Sequence, residues 1–271
     1  MLRDITLGQY YPANSVIHRL DPRVKLLGTL LFIVSLFSFK GVTALALATI
    51  FLVTVIKVSK VPFKFMVKGL RAIVILMLIT AFFNLFLTPG EALVSFWKFK
   101  ITAPGIKNAV LMAIRLTYLI LGTSIMTLTT TPNQLTAGLE MALRPLRKVG
   151  VPVHAVSMMM SIALRFIPIL IEETDKIMKA QMARGADFES GNLIRKVKSM
   201  VPLLVPLFVA AFRRADDLAM AMEARCYHGG DGRTQLKPLR YQGRDRLAYL
   251  ILFSYLAGVF LCRHFLPWPQ G

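Results

Sequence analysis

The sequence predicts an all-α integral membrane protein, with about five transmembrane helices and a set of long cytoplasmic or interfacial helices. Three observations carry this reading. Apolar residues make up 55% of the 271-residue chain and charged residues only 17%, against about 25% charged in soluble domains. The apolar residues fall in blocks rather than evenly. The formal charge of +19 lies between those blocks, where positive loops on the cytoplasmic side of a membrane protein collect. On a soluble chain such a charge would suggest nucleic acid. Here no basic stripe interleaved with aromatics is present, so no nucleic-acid partner is expected.

Residues 1–25 are a polar lead-in without the apolar core or small-residue cleavage site of a signal peptide. Pro12 and Pro22 disfavour helix at the residue before them. Asp21 can cap a helix that begins at Pro22. The lead-in reads as a capped helix start with a basic flank, or as a strap docked on a partner or on the protein's own cytoplasmic face. Residues 26–39 and 41–56 read as a tight helical hairpin about Lys40-Gly41, with a single re-entrant segment as the alternative. Each span is short, and Lys25, Lys40 and Lys57 lengthen it by reaching to the interface.

Residues 57–71 carry Lys57, Lys60, Lys64, Lys68 and Arg71 with no acid, as a cytoplasmic loop does. Residues 72–89 are a third span, closed by Thr88-Pro89-Gly90. Residues 90–107 form a loop with Phe96 and Trp97 as interfacial aromatics, although Lys98, Lys100 and Lys107 blur the charge asymmetry. Residues 108–130 are a fourth span. Arg115 within it reads as snorkelling or helix-paired rather than as a transport site. Residues 1–130 thus hold the lead-in and four spans.

Residues 131–246 contain 18 Lys and Arg against 11 Asp and Glu, a net of +7. Such density does not cross a bilayer. Yet Val149–Ile171 and Val201–Phe212 are long apolar runs, interrupted by Pro152, Pro168, Pro202 and Pro206. They predict long helices along or dipping into the interface, with a further transmembrane hairpin as the competing reading. Arg233, Lys237, Arg240, Arg244 and Arg246 precede the last span, 247–262, and mark its start as cytoplasmic. Residues 247–271 are that span and a tail ending Pro267-Trp268-Pro269.

Several chemistries find no residues to run on. There is no Gly-x-x-x-x-Gly-Lys-Ser/Thr phosphate loop, no His-Glu-x-x-His and no nucleophile elbow. His18, His154, His228 and His264 are scattered. Cys226 and Cys262 have no paired spacing. Few acids lie in the apolar spans, so a proton- or sodium-coupled carrier has little to work with. A membrane-embedded enzyme and a self-sufficient carrier or permease remain as rival readings.

The positive signal is a repeat with an offset of 41 residues. Asp175 to Arg184 reads against Asp216 to Arg225, with Asp, a bulky apolar residue, two Ala and Arg in register. The runs end in Ala183-Arg184-Gly185 and Ala224-Arg225-Cys226. On a helix Ile177, Gln181 and Arg184 share a face, as do Leu218, Met222 and Arg225. Each helix so offers an apolar stripe ending in one arginine. Methionine suits irregular grooves on other proteins, and arginine presents a rigid fork to carboxylates and carbonyls. The bland alternative is core methionine plus an arginine that complements a helix dipole.

With these residues quoted, a resemblance can be given. The chain resembles the transmembrane T component of energy-coupling factor transporters, the EcfT/CbiQ family. The likeness rests on the two Ala-Arg-x motifs, on Leu164-Arg165-Phe166-Ile167-Pro168 and Glu172, and on Ser15-x-x-His18-x-Leu20-Asp21-Pro22-Arg23-x-Lys25. It spans roughly residues 5–265. Cys226 departs from the pattern, where a small Gly or Ser is common, and makes helix termination there less secure.

The resemblance implies a non-catalytic, multi-pass scaffold in a prokaryotic cell membrane, with its N-terminus and coupling region cytoplasmic. It implies two ABC-type ATPase subunits as partners, and a small substrate-binding membrane S component for a vitamin or a metal cation. ATP and magnesium would be bound by the ATPases, and this chain would hold no cofactor. Ala183, Arg184, Gly185, Ala224, Arg225 and Cys226 would dock the ATPases. Met178, Gln181, Met182, Met220, Met222 and Glu223 would line the contacts with their grooves.

Overall fold

The computed structural model describes residues 10–38, 42–71, 73–89, 92–96, 99–186, 188, 193–229 and 239–265. Among them the chain forms α1 (Pro22–Ser38), α2 (Val42–Ser59), α3 (Phe63–Arg71), α4 (Val74–Leu87), β1 (Ala92–Phe96), β2 (Phe99–Thr102), α5 (Ala103–Thr129), α6 (Pro132–Leu143), α7 (Val153–Ala183), α8 (Leu193–Glu223) and α9 (Gly243–Phe265). Helices α1, α2, α4, α5 and α9 lie where the five spans were expected. The Lys40-Gly41 link, Trp97, Arg233, Lys237 and the Pro267-Trp268-Pro269 tail lie outside the described residues.

By length and composition α5, α7 and α9 can cross a membrane, while α2 and α4 are shorter apolar helices. The 14 residues of α4 reach about 21 Å, short of the ~30 Å of a hydrocarbon core. Three details differ from expectation. Within the 57–71 loop lies α3, a helix that buries Met66 completely and exposes Phe63 and Phe65. The 90–107 loop is partly an antiparallel hairpin, with Ala92 opposite Thr102 and Phe96 opposite Phe99. Backbone pairing there satisfies groups that an open loop would leave to water.

The third difference concerns proline. Pro168 sits inside α7, and Pro202 and Pro206 inside α8, without ending either helix. A proline removes one backbone bond and crowds the preceding turn. In a 31-residue helix the remaining ladder outlasts that loss. So Val149–Ile171 is not a broken run: most of it belongs to one continuous helix.

Local signals set several boundaries. The Thr102 side chain accepts from Gly105 N at 3.1 Å and caps α5. Thr131 and Gln134 bond reciprocally, each to the other's backbone N–H, at 3.3 Å. That is a capping box for α6, with Pro132 at its first position.

Residues 8–138 and 239–271 form one compact unit, and residues 139–238 belong to another. The core of the first gathers Phe32 and Leu36 of α1, Ala48 and Leu52 of α2, Leu121, Ile125 and Leu128 of α5, and Tyr255 and Val259 of α9. Phe51 and Tyr255 stack at 4.4 Å between ring centroids. Hydroxyl pairs tie helices together: Ser35 with Tyr255 at 2.8 Å and Thr49 with Tyr118 at 2.6 Å. Gly122 lets α5 approach α1, because a Cβ there would meet the Phe32 ring at 2.8 Å. Arg115 lies 6.0 Å from the Phe37 ring, which makes it helix-paired.

At one end of this unit the lead-in becomes a polar clasp. Asp21 accepts from Arg23 N at 2.9 Å, so it caps α1 as its position suggested. It also takes the Arg23 guanidinium, Nε at 3.0 Å and Nη2 at 2.9 Å. Arg23 reaches on to Leu239 O at 3.3 Å and lies 3.9 Å over the Tyr241 ring. The Asp245 carboxylate accepts from Asp21 N at 2.9 Å and from Gln242 N at 2.7 Å. Lys25 Nζ donates to His18 O and to Thr129 O, at 3.2 and 2.8 Å. Tyr11 N donates to Leu128 O at 2.9 Å. Tyr11 also packs against Phe65 at 5.2 Å. The starts of α1, α3 and α9 and the end of α5 therefore share one face. The strap docks on the protein itself.

His18 completes the clasp. Its Nε2 donates to Tyr11 O at 3.0 Å, and its Nδ1 accepts from the Ser15 hydroxyl at 2.7 Å. That arrangement uses the neutral ring. Burial, helped by the nearby Lys25 charge, pushes the His18 pKa down, while the bond to Tyr11 O partly offsets this. For Asp21 burial works against ionisation, but the Arg23 hydrogen bonds and charge hold its carboxyl below the usual range.

Two outcomes follow. Asp245 is 1% exposed, so Asp245→Ala strands the buried N–H of Asp21 and removes the partner of the part-buried N–H of Gln242. It should cost about 1–3 kcal/mol in denaturant unfolding of the purified chain in mixed micelles. A loss under about 0.5 kcal/mol would refute the clasp. His18 prefers its neutral form when folded, so its share of stability is full above ~6.5 and is lost as pH falls below that. Asp21, depressed, holds its share to lower pH. Thermal unfolding should thus weaken from pH 7 to pH 5 in the wild type and less so in His18→Gln. Equal slopes would contradict the assignment.

Candidate functional site

The unit of residues 139–238 is built on α7 and α8. Arg214 Nη2 donates to Glu173 Oε2 at 3.3 Å. Gln181 Nε2 donates to Pro202 O at 3.4 Å. As α7 runs from 173 to 181, its neighbour runs from 214 back to 202, so the helices are antiparallel where they touch. Positions 173 and 214 are also equivalents in the 41-residue repeat. In a two-fold pair a residue meets its own equivalent only beside the axis. The repeat therefore describes a pseudo-two-fold helix pair with Glu173 and Arg214 next to its axis. This half-exposed ion pair contributes at most about 1 kcal/mol. It marks the crossing more than it holds it.

Arg184 and Arg225 each stand 11 residues beyond that point, on opposite arms. Eleven residues of helix measure about 16 Å, so the arginines are on the order of 30 Å apart. The fold does not bring them together; it separates them symmetrically.

The two ends share one backbone geometry. On α7, Gly185 N donates to Met182 O at 2.9 Å and Ala186 N to Gln181 O at 3.0 Å. On α8, Cys226 N donates to Glu223 O at 2.8 Å and Tyr227 N to Met222 O at 3.1 Å. Both are Schellman closures, and each places its arginine at the C-cap. Gly185 has φ 86° and Cys226 φ 55°. Cys226 thus ends its helix as Gly185 does, despite the roughly 1–2 kcal/mol that a Cβ costs in the left-handed region. Termination there is as complete as at the first copy.

Both arginines are exposed, with Ala183, Ala224, Gly185, Cys226 and Glu223. Met182 and Met220 are 49% and 61% exposed. Met178, Gln181 and Met222 are half-buried. So the motif residues are surface groups on rigid helix ends, and only some of the flanking side chains are free for a groove.

Two features here escaped the sequence reading. Glu140 accepts from the Ser157 hydroxyl at 2.7 Å and from His154 Nδ1 at 3.1 Å, which anchors the first turns of α7. His154 and Ser157 stand one helical turn apart, a spacing that could have signalled a shared partner. The second is how the apolar run Val201–Phe212 is disposed on α8: Val201, Val205, Phe208 and Phe212 are exposed by 50–67%. Their spacing keeps them on one side of the helix, and so large an open patch marks a contact surface.

The CbiQ family, described as cobalt transport protein, matches residues 13–236. Several curated proteins named energy-coupling factor transporter transmembrane protein EcfT are similar over nearly their whole length. That of Clostridium kluyveri is 57% identical over 255 residues, 92% of this chain and 93% of the relative. That of Thermosediminibacter oceani is 52% identical over 262 residues, 97% and 99% of the two chains. That of Bacillus subtilis is 46% identical over 264 residues, 97% and 100%. Identity of this order, sustained from one end of each chain to the other, places the protein in the EcfT/CbiQ family of energy-coupling factor transporter transmembrane components.

Proposed function

We propose that the protein is the membrane scaffold through which ATP hydrolysis by two partner ATPase subunits drives uptake of a vitamin or metal cation. The cargo is bound by a separate small membrane subunit. The observation that carries this is the pair of matching helix ends. Two arginines, each held at a C-cap by the same closure and related by a pseudo-two-fold axis, suit two equivalent grooves on a two-fold partner. Arginine's planar fork can be bidentate to a carboxylate or to carbonyls in such a groove.

In this reading each helix end acts as a lever. When the ATPase pair closes, its two grooves approach and draw Arg184 and Arg225 with them. Helices α7 and α8 carry the displacement as rigid rods, because their backbone bonds are internal. The apolar stripe on α8 supports contact with the small membrane subunit, which takes up the motion. ATP and magnesium stay on the ATPases, and this chain catalyses no reaction. The clasp face and the coupling region are cytoplasmic, supported by the basic loops that feed them.

Changing both Arg184 and Arg225 to Glu should abolish ATP-dependent uptake and release the ATPases during co-purification, with the membrane fold intact. Normal uptake with retained ATPases would overturn the proposal, as would uptake into liposomes by this chain alone. Cys226→Gly should relieve the left-handed Cβ and raise the free energy of denaturant unfolding by about 0.5–1 kcal/mol, without loss of uptake. A fall in stability would contradict the strain assigned to Cys226.

A further inference from the structure

The unit that holds the clasp contains a crevice its own side chains do not fill. It measures about 260 Å³ and opens among α1, α2, α5 and α9 beneath the lead-in strap. Gly28, Phe32, Leu52, Ile125, Ala248 and Leu252 are part of its lining. The hydroxyls of Thr54 and Thr129, also in the wall, donate to carbonyls of their own helices, Ile50 O and Ile125 O, both at 2.7 Å. With Thr29 also in the wall, the interior is largely though not wholly apolar, and water finds few partners there. Left empty, it forfeits the dispersion contacts of its walls.

At its clasp end the lining changes character. Lys25 and Arg244 belong to it. Lys25 is already held by two carbonyls. Arg244 differs: its Nε is enclosed and has no partner among the described residues. The nearby carboxylates do not serve it. Asp245 accepts from two backbone N–H groups, and Asp21 from Arg23 and from the cap. With Arg23, Lys25 and Arg244 set against Asp21 and Asp245, the end of the crevice keeps one positive charge in excess.

We propose that this crevice is a binding site for an anionic glycerophospholipid, with an acyl chain between the four helices and the phosphate on Arg244. The charge is complementary, since guanidinium and phosphate form strong charge-assisted bonds. The depth also agrees. Arg244 stands in the first turn of α9, level with the other helix ends of the clasp, where a headgroup would lie. Basic pockets between transmembrane helices take such headgroups. The lipid fills the void and answers the enclosed guanidinium at once, and it bridges the same helices that the clasp ties by hydrogen bonds.

The test uses the purified full chain, reconstituted in nanodiscs of equal phosphatidylglycerol and phosphatidylcholine. Lipid that stays bound after mild extraction is counted by native mass spectrometry. The wild type should retain one phosphatidylglycerol in clear excess over phosphatidylcholine. Arg244→Gln should lower that retention roughly tenfold. Ala248→Phe, which fills the crevice but leaves Arg244, should lose both lipids. Phosphatidylglycerol added to delipidated protein should raise its thermal midpoint, whereas sodium phosphate alone should not. Equal retention of the two lipids, unchanged retention in Arg244→Gln, or the same midpoint shift with sodium phosphate would each overturn the proposal. Arg244→Gln decides the matter even if Ala248→Phe does not fold.

Discussion

The Asp245 carboxylate joins two stretches of chain 224 residues apart, at the start of α1 and the start of α9. Both backbone donors it serves belong to helix N-termini, which leave their first N–H groups without helical partners. A chain that threads a membrane several times gathers many such ends at each surface. Here they answer one another. Asp21 caps α1 and orients Arg23, Arg23 reaches the segment before α9, and Lys25 takes the carbonyls at the end of α5 and in the strap. Each group is satisfied by a neighbour whose own position depends on it. Partly buried networks of this kind specify one arrangement sharply when complete. The five apolar helices supply affinity for the membrane but little register, because lipid tails are as apolar as leucine. Register comes from the clasp, and from close approaches such as Gly122 against Phe32.

The unit of residues 139–238 follows a different logic. Its 41-residue repeat looks like a pattern of helix faces, yet its structural content is a symmetry. Equivalent positions 173 and 214 meet, and the arms beyond them end alike. The backbone closure at Cys226 matches that at Gly185 although the side chain differs. Symmetry of the ends is thus carried by the hydrogen-bond pattern and not by residue identity.

Much of this was legible in the residues. The helices at the five expected positions, the cap at Asp21, the helix end at Gly185 and the repeated arginines could be read because each depends on local chemistry: hydropathy, capping and glycine's access to positive φ. What escaped depends on distant partners or on tolerance. Nothing near Asp245 announces that it accepts from Asp21. The prolines of α7 and α8 suggested interruption, since a single proline is judged by what it breaks and not by the length of ladder around it. The hairpin after α4 was masked by its basic residues, which read as a loop. Within the site, the arginine positions were clear from spacing, but their wide separation was not. That distance follows from the antiparallel pairing, which the contacts of Glu173 with Arg214 and of Gln181 with Pro202 disclose.

The equal arms of α7 and α8 restrict which insertions and deletions the chain tolerates. One residue added between 173 and 184 would advance Arg184 by about 1.5 Å and swing it through about 100°. The other arm would remain as it was, and the two ends would no longer present the same aspect. A whole turn would nearly restore direction but leave one arm about 5 Å longer. Length is therefore fixed in the two eleven-residue segments that end at Arg184 and Arg225, as if the chain carried a ruler marked in two places.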